Sequence, residues 1–157
     1  IYNSAVVPFA GGFAGVFRVD CRNGLPFLHA GFSKDALRWR IDERQIDLRD
    51  ESGCPVQPGY AYDPRVTPID GGFVVAWCND FHGPTVALAR TTDFDRFEFL
   101  GNAFPPFNRN GVLFPKRING LYTFLHRPSD AGHTPFGDIF LSQSGDLKFW
   151  GNHRHVM

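Results

Sequence analysis

The stretch Thr91-Thr-Asp-Phe-Asp-Arg-Phe97, "TTDFDRF", has two counterparts in the same chain, "SKDALRW" at 33–39 and "SGDLKFW" at 144–150. Each places a hydroxyl residue first, an aspartate two positions later and an aromatic six positions later. Ser/Thr and Asp bond readily to nearby backbone N–H groups, so the pattern reads as a turn. From 33 to 91 is 58 residues and from 91 to 144 is 53, so the turn recurs at a nearly fixed interval.

A second element keeps step with it: "VVPFAGGFAGVF" (6–17), "VTPIDGGFVVAW" (66–77) and "LFPKRINGLYTF" (113–124). Each is an apolar strand, a Gly-containing or Asn-Gly turn and a second alternating strand, which predicts a hairpin. Each unit therefore divides into four strands, expected in the middle unit near 64–69, 73–78, 84–91 and 97–104, with the Ser/Thr-x-Asp turn between the third and fourth. Seventeen Phe, seventeen Gly and twelve Pro with no helical period make the chain all-β. Four strands per unit and a period of about 50 residues are the signature of a β-propeller blade. A twelve-strand sandwich leaves the repeat unexplained. Three blades do not close a ring, which takes about four to eight. The chain begins at Ile1 and ends in "GNHRHVM", so residues 1–157 are expected to be a partial propeller domain whose remaining blades lie outside them.

At 157 residues the chain is long enough to bury a core. Sixteen basic and sixteen acidic side chains cancel, which argues against nucleic-acid or anionic-membrane partners. No apolar run approaches the roughly 20 residues that span a bilayer, and no basic-then-apolar leader opens the chain. Cys21, Cys54 and Cys78 match no zinc or redox spacing and suit a reducing cytoplasm.

The candidate site begins at "AYDPRVTP" (61–68), where Asp63 stands before a proline. Asp-Pro commonly opens a turn. The repeat adds a second reading. Asn3, Asp63 and Asn110 each lie five residues before the proline of their unit's first strand, Pro8, Pro68 and Pro115. If that strand is innermost, the three side chains converge near the propeller axis, and recurrence there is not expected of a mere turn residue. Arg65 either holds Asp63 or pairs with a rim carboxylate. Beside this position the chain is rich in anion-binding groups: Arg109, Lys116, Arg117, His126 and Arg127. Arg109 and Arg127 are expected to form a forked cradle for a phosphate dianion, with Lys116 a further candidate; Arg117 reads as a solvated turn charge. In "WCNDFHGPTV" (77–86), Asn79, Asp80 and His82 are placed to meet sugar hydroxyls, or to satisfy their own loop. His153 and His155 alternate on one strand without a third ligand, so no metal site is expected. No phosphate loop, zinc motif or nucleophile elbow is present.

These segments, "YNSAVVPFAGGFAGVFRVD", "YDPRV", "WCNDFHGPT", "NRNGVLFPKRING", "HRPSDAGHTPFGDIF" and "WGNHRHVM", resemble glycoside hydrolase family 130, within it the branch acting on 4-O-β-D-mannosyl-D-glucose. The resemblance covers nearly the whole chain and implies a five-bladed propeller about twice this length. It implies an enzyme, a phosphorylase: inorganic phosphate attacks the anomeric carbon of a β-1,4-mannosyl-glucose disaccharide, giving α-mannose 1-phosphate and glucose. Asp63 matches the family's catalytic acid, whose proton reaches the glycosidic oxygen through the mannosyl 3-hydroxyl. Arg109 and Arg127 match its phosphate-binding arginines, and Asn3, Asn79, His82, Asn110 and His126 are the expected sugar contacts. Phosphate is a co-substrate and no cofactor is expected; self-association stays open. An inverting hydrolase needs a second carboxylate to activate water, whereas an anionic nucleophile needs cations. Alternatives are phosphorolysis of β-1,4-mannooligosaccharides, hydrolysis of β-mannosides, and a non-catalytic carbohydrate-binding propeller.

Overall fold

The structure, a computed structural model, describes residues 1–129 and 137–157; part of the "HRPSDAGHTPFGDIF" segment lies outside them. Thirteen strands and no helix are found among the described residues. β1 (Tyr2–Phe9), β2 (Gly12–Asp20), β3 (Pro26–Ser33) and β4 (Arg40–Ile41) form the first antiparallel sheet. β6 (Ala61–Ile69), β7 (Gly72–Asp80), β8 (Pro84–Thr91) and β9 (Arg96–Asn102) form the second. β10 (Asn108–Leu113), β11 (Tyr122–Pro128), β12 (Phe140–Ser144) and β13 (Gly151–His155) form the third. The strand divisions expected for the middle unit are thus found within a few residues. Among the described residues no helix is long and apolar enough to cross a membrane.

Packing explains why the strands read as they do. β7 is covered on both faces: Val75 and Trp77 face the first sheet, with Val7, Ala14, Val16, Leu28 and Ala30, in one core. Val74 and Ala76 face the third, with Leu113, Tyr122 and Phe124, in the other. A strand buried on both faces becomes a continuous apolar run, here "FVVAWC".

The repeated turn has one mechanism in all three blades. Asp35 Oδ1 accepts the N–H groups of Leu37 and Arg38, Asp93 Oδ1 those of Asp95 and Arg96, and Asp146 Oδ1 those of Lys148 and Phe149, all at 2.8–3.0 Å. The residue after each aspartate is left-handed, with φ 60° at Ala36, 61° at Phe94 and 69° at Leu147. Trp39 and Trp150 donate their indole N–H to the carbonyls of Ala36 and Leu147, each at 3.0 Å. These backbone bonds hold all three carboxyls below their ordinary range. A depressed folded-state value stabilises the fold above the ordinary carboxylate range, and that stabilisation is lost as pH falls through the folded value. Asp93→Ala is therefore expected to cost about 1 kcal/mol, by comparison with lost helix caps. Melting followed at pH 7 and below pH 4 checks this: the variant should melt roughly 2–4 °C lower at pH 7 and converge on the parent in acid.

One strand was not foreseen. β5 (Asp47–Arg49), from the connection between the first two blades, pairs in parallel with β9 and buries Leu48 between the sheets. It covers the outer edge of the second blade, an edge that otherwise offers unpaired N–H and C=O groups.

Candidate active site

The first strands of the three blades, β1, β6 and β10, are each interrupted near their starts. The pairing with the neighbouring strand slips between Tyr2 and Ala5, between Tyr62 and Arg65, and between Asn108 and Gly111. In each slip one residue is left-handed: Asn3 at φ 49°, Asp63 at 52° and Asn110 at 57°. Asn and Asp tolerate this conformation better than other side-chain-bearing residues. The recurrence of Asn, Asp and Asn thus has a backbone cause, and the expectation that a structural residue would not recur there is corrected.

Asp63 nevertheless sits among groups that act on it. Its Oδ1 accepts the Asn3 amide at 2.9 Å and the Arg18 guanidinium at 3.2 Å, both from the first blade. Arg18 was missed in the sequence. It lies over the Tyr2 ring at 4.5 Å and the Tyr62 ring at 5.5 Å. Its Nε bonds Asp20 Oδ1 at 2.8 Å, and Tyr2 O–H bonds Asp20 Oδ2. Asp20 is therefore a second carboxylate close to Asp63, but the bonds from Arg18 and then Tyr2 hold its carboxyl below the ordinary range. A carboxylate so stabilised is a poor base for activating water. Arg65 does not hold Asp63; it donates to the Pro64 carbonyl at 2.8 Å.

The two arginines of the third blade lie on adjacent strands. Arg127 on β11 lies opposite the slip in β10 that contains Arg109. β10 packs against β6, β7 and β8, and the Arg109 charge is felt by Tyr60, Tyr62 and Cys78 of the second blade. Burial outweighs it, pushing the Tyr62 hydroxyl well above its usual range and raising the Cys78 thiol. Cys78 also feels Asp63 and Asp80, so acid, arginine and tyrosine share one neighbourhood at the end of the blades where β1, β6 and β10 begin.

The remaining candidates divide. Asn79 is buried on β7 opposite Ala61, its Oδ1 without a partner among the described residues. His82 is exposed at the β7–β8 turn at φ 57°, edge-on to Phe81, whose ring is half exposed, as is that of Phe107. Asn110 is exposed beside Arg109. Lys116 does not join them: it lies in the β10–β11 hairpin, at the opposite end of the blade from Arg109. Arg117 in the same hairpin is not a free surface charge; it bonds Asp70 of the second blade at 2.9 Å and lies over the Tyr122 ring at 3.9 Å. His126 is also corrected as a sugar contact. It is 4% exposed, stacked on Phe104 at 3.9 Å, with its nitrogens directed to Asn108 and Ser142. Burial pushes its pKa down to about 4, so the ring is neutral near pH 7. His153 meets Ser142 and His155 meets Asp138; no group of three metal-ligating side chains is found among the described residues. A cavity of about 1490 Å3 lies between the outer parts of the first two blades, under residues 40–58, and Asp63 does not line it.

The family model of glycoside hydrolase family 130, described as beta-1,4-mannooligosaccharide phosphorylase, matches residues 1–157. The chain belongs to glycoside hydrolase family 130. It is 57% identical over 166 aligned residues to a beta-1,4-mannooligosaccharide phosphorylase of Ruminococcus albus, covering 100% of this chain and 49% of the relative. It is 34% identical to a beta-1,2-mannobiose phosphorylase of Listeria innocua, over 85% of this chain and 37% of the relative. The chain thus spans about half or less of the length of these relatives. The solved structure of a Listeria innocua beta-1,2-mannobiose phosphorylase with beta-1,2-mannobiose superposes with a TM-score of 0.80 at 24% identity, over 99% of this chain and 58% of that one. The three sheets are blades of the five-bladed propeller seen among such family 130 structures.

Proposed function

We propose that the protein carrying these blades is an inverting phosphorylase of β-1,4-mannosides. The observation that carries this is the pairing of one acid, Asp63, held by Asn3 and Arg18, with two guanidinium residues on adjacent strands, Arg109 and Arg127. A phosphate oxygen forms the new bond to the anomeric carbon as the bond to the leaving sugar breaks. Asp63 supplies the proton that the leaving oxygen takes up, through the mannosyl 3-hydroxyl, and the guanidiniums orient and neutralise the nucleophile. Asp20, with its oxygens taken by Arg18 and Tyr2, is poorly suited to be the base that the hydrolytic reading needs. The half-exposed rings of Phe81 and Phe107 are suited to stacking on sugar faces. No cofactor enters; phosphate is a co-substrate.

The acceptor sugar divides two readings. The sequence resemblance favours glucose, and the name of the Ruminococcus albus relative favours a mannose unit. The three unpaired cysteines support a cytoplasmic location. Incubation of the intact protein with mannosyl-glucose and with β-1,4-mannobiose, each with and without phosphate, tests the proposal. Mannose 1-phosphate formed only with phosphate is expected, and the better substrate names the acceptor. Free mannose regardless of phosphate identifies a hydrolase instead.

A further inference from the structure

The third blade contains a chain of side chains that the proposed reaction does not use. One residue comes from each strand: Asn108 on β10, His126 on β11, Ser142 on β12 and His153 on β13. Asn108 and His126 Nδ1 meet at 2.8 and 3.1 Å through the two amide atoms, His126 Nε2 and Ser142 Oγ at 2.7 Å, and Ser142 Oγ and His153 Nδ1 at 2.6 Å. Asn108, His126 and Ser142 are all buried. The sister blades do not build this. The first pair after each slip is Gly111 with His126 in this blade, but Ala5 with Val16 and Arg65 with Ala76 in the others. In the place of His126 the apolar Val16 and Ala76 thus suffice for packing, and a buried polar side chain is tolerated only when its partners are in place.

What distinguishes the third blade is the arginine pair. Arg109 directly follows Asn108, and Arg127 directly follows His126. Successive side chains of a regular strand point to opposite faces, so on β11 Arg127 lies on the face away from His126 and its contact with Asn108. Regular pairing between β10 and β11 lapses from Asn108 to Gly111, so across the slip the backbone ladder does not hold Arg109. Backbone pairs of Asn108 with Pro128 and of Gly111 with His126 bound that gap, and the Asn108–His126 side-chain bond is the tie that crosses it.

We propose that Asn108 and His126 are positioning residues, a rung that sets the separation and aim of Arg109 and Arg127 without itself touching phosphate or sugar. This rests on the reading of those arginines as the phosphate cradle. The stack of His126 on Phe104 and its bond to Ser142 hold the ring so that Nδ1 faces Asn108.

Two substitutions separate positioning from general packing. His126→Asn keeps an amide where Nδ1 stands and so retains a partner for Asn108, while losing Ser142. His126→Gln carries its amide to the place of Nε2, retaining Ser142 and losing Asn108. Both lose the stack on Phe104, so a merely structural role predicts the same outcome for both. In the intact enzyme, His126→Gln is expected to raise the phosphate KM about tenfold or more, in keeping with the cost of misplacing a binding group by a fraction of an ångström. The mannoside KM should hold within about twofold, and His126→Asn should stay close to the parent. Equal effects of the two variants, or an unmoved phosphate KM, overturn the rung. If the parent proves not to be a phosphorylase, calorimetric titration with inorganic phosphate gives the answer independently. Binding weakened by His126→Gln and kept by His126→Asn sustains the rung without the reaction, whereas no binding to the parent overturns both.

Discussion

Asp63→Asn is expected to lower phosphorolysis by about 10²–10⁴-fold, the range that a positioned general acid contributes. The substitution isolates the proton because the site already tolerates the replacement. Asn3 and Asn110 occupy the same left-handed position in the neighbouring blades, so an asparagine at 63 is compatible with φ 52°. Its amide oxygen remains able to accept the bonds that Asn3 and Arg18 give to Asp63 Oδ1. The melting temperature should therefore move little while the rate falls. Asp63→Ala is a poorer test, since alanine is strained at positive φ and removes the acceptor for Arg18 as well. Release of mannose 1-phosphate, followed beside thermal unfolding, decides the matter. A variant with parental rate shows that Asp63 serves only the strand, and one with lost fold shows that the tie between blades outweighs the chemistry.

The same position shows what was legible in the sequence. The count of five residues from Asn3, Asp63 and Asn110 to their prolines located the places where the strands slip, which is a property of the backbone. The functional signal is narrower: one of three positions that asparagine satisfies carries an acid. The repeat likewise gave the blades, because Asp35, Asp93 and Asp146 each close a turn within a few residues of themselves. Interactions that cross blades left no such mark. Arg18 reaches Asp63 over 45 positions, and its role depends on how β2 packs against β6. Lys116 stands near Arg109 in the sequence but at the far end of the blade, because a hairpin strand runs its full length before turning. His126 was readable in principle: alternation along "FLHRP" puts it on the face of Phe124, which is fully buried, and puts Arg127 on the other. β5, three residues long, is too short for any period to reveal.

Arg109→Ala and Arg127→Ala are each expected to weaken phosphate binding by roughly 1.5–3 kcal/mol, the worth of a hydrogen bond to a charged partner. That corresponds to about a 10–150-fold rise in the phosphate KM. The argument for a shared ligand is positional: the two residues lie on adjacent strands at the slip between Asn108 and Gly111, and Arg109 is felt by the tyrosines beside Asp63. If one dianion bridges both, the two losses are coupled, so the double variant should fall short of the sum of the singles. Independent anchoring elsewhere gives additive losses. Lys116→Ala serves as the contrast: its side chain is exposed at the opposite end of the blade, so phosphate dependence should be unchanged. A rise in phosphate KM confined to the two arginines, with the mannoside KM held, assigns them to the nucleophile; an equal loss for both substrates assigns them to the architecture of the third blade.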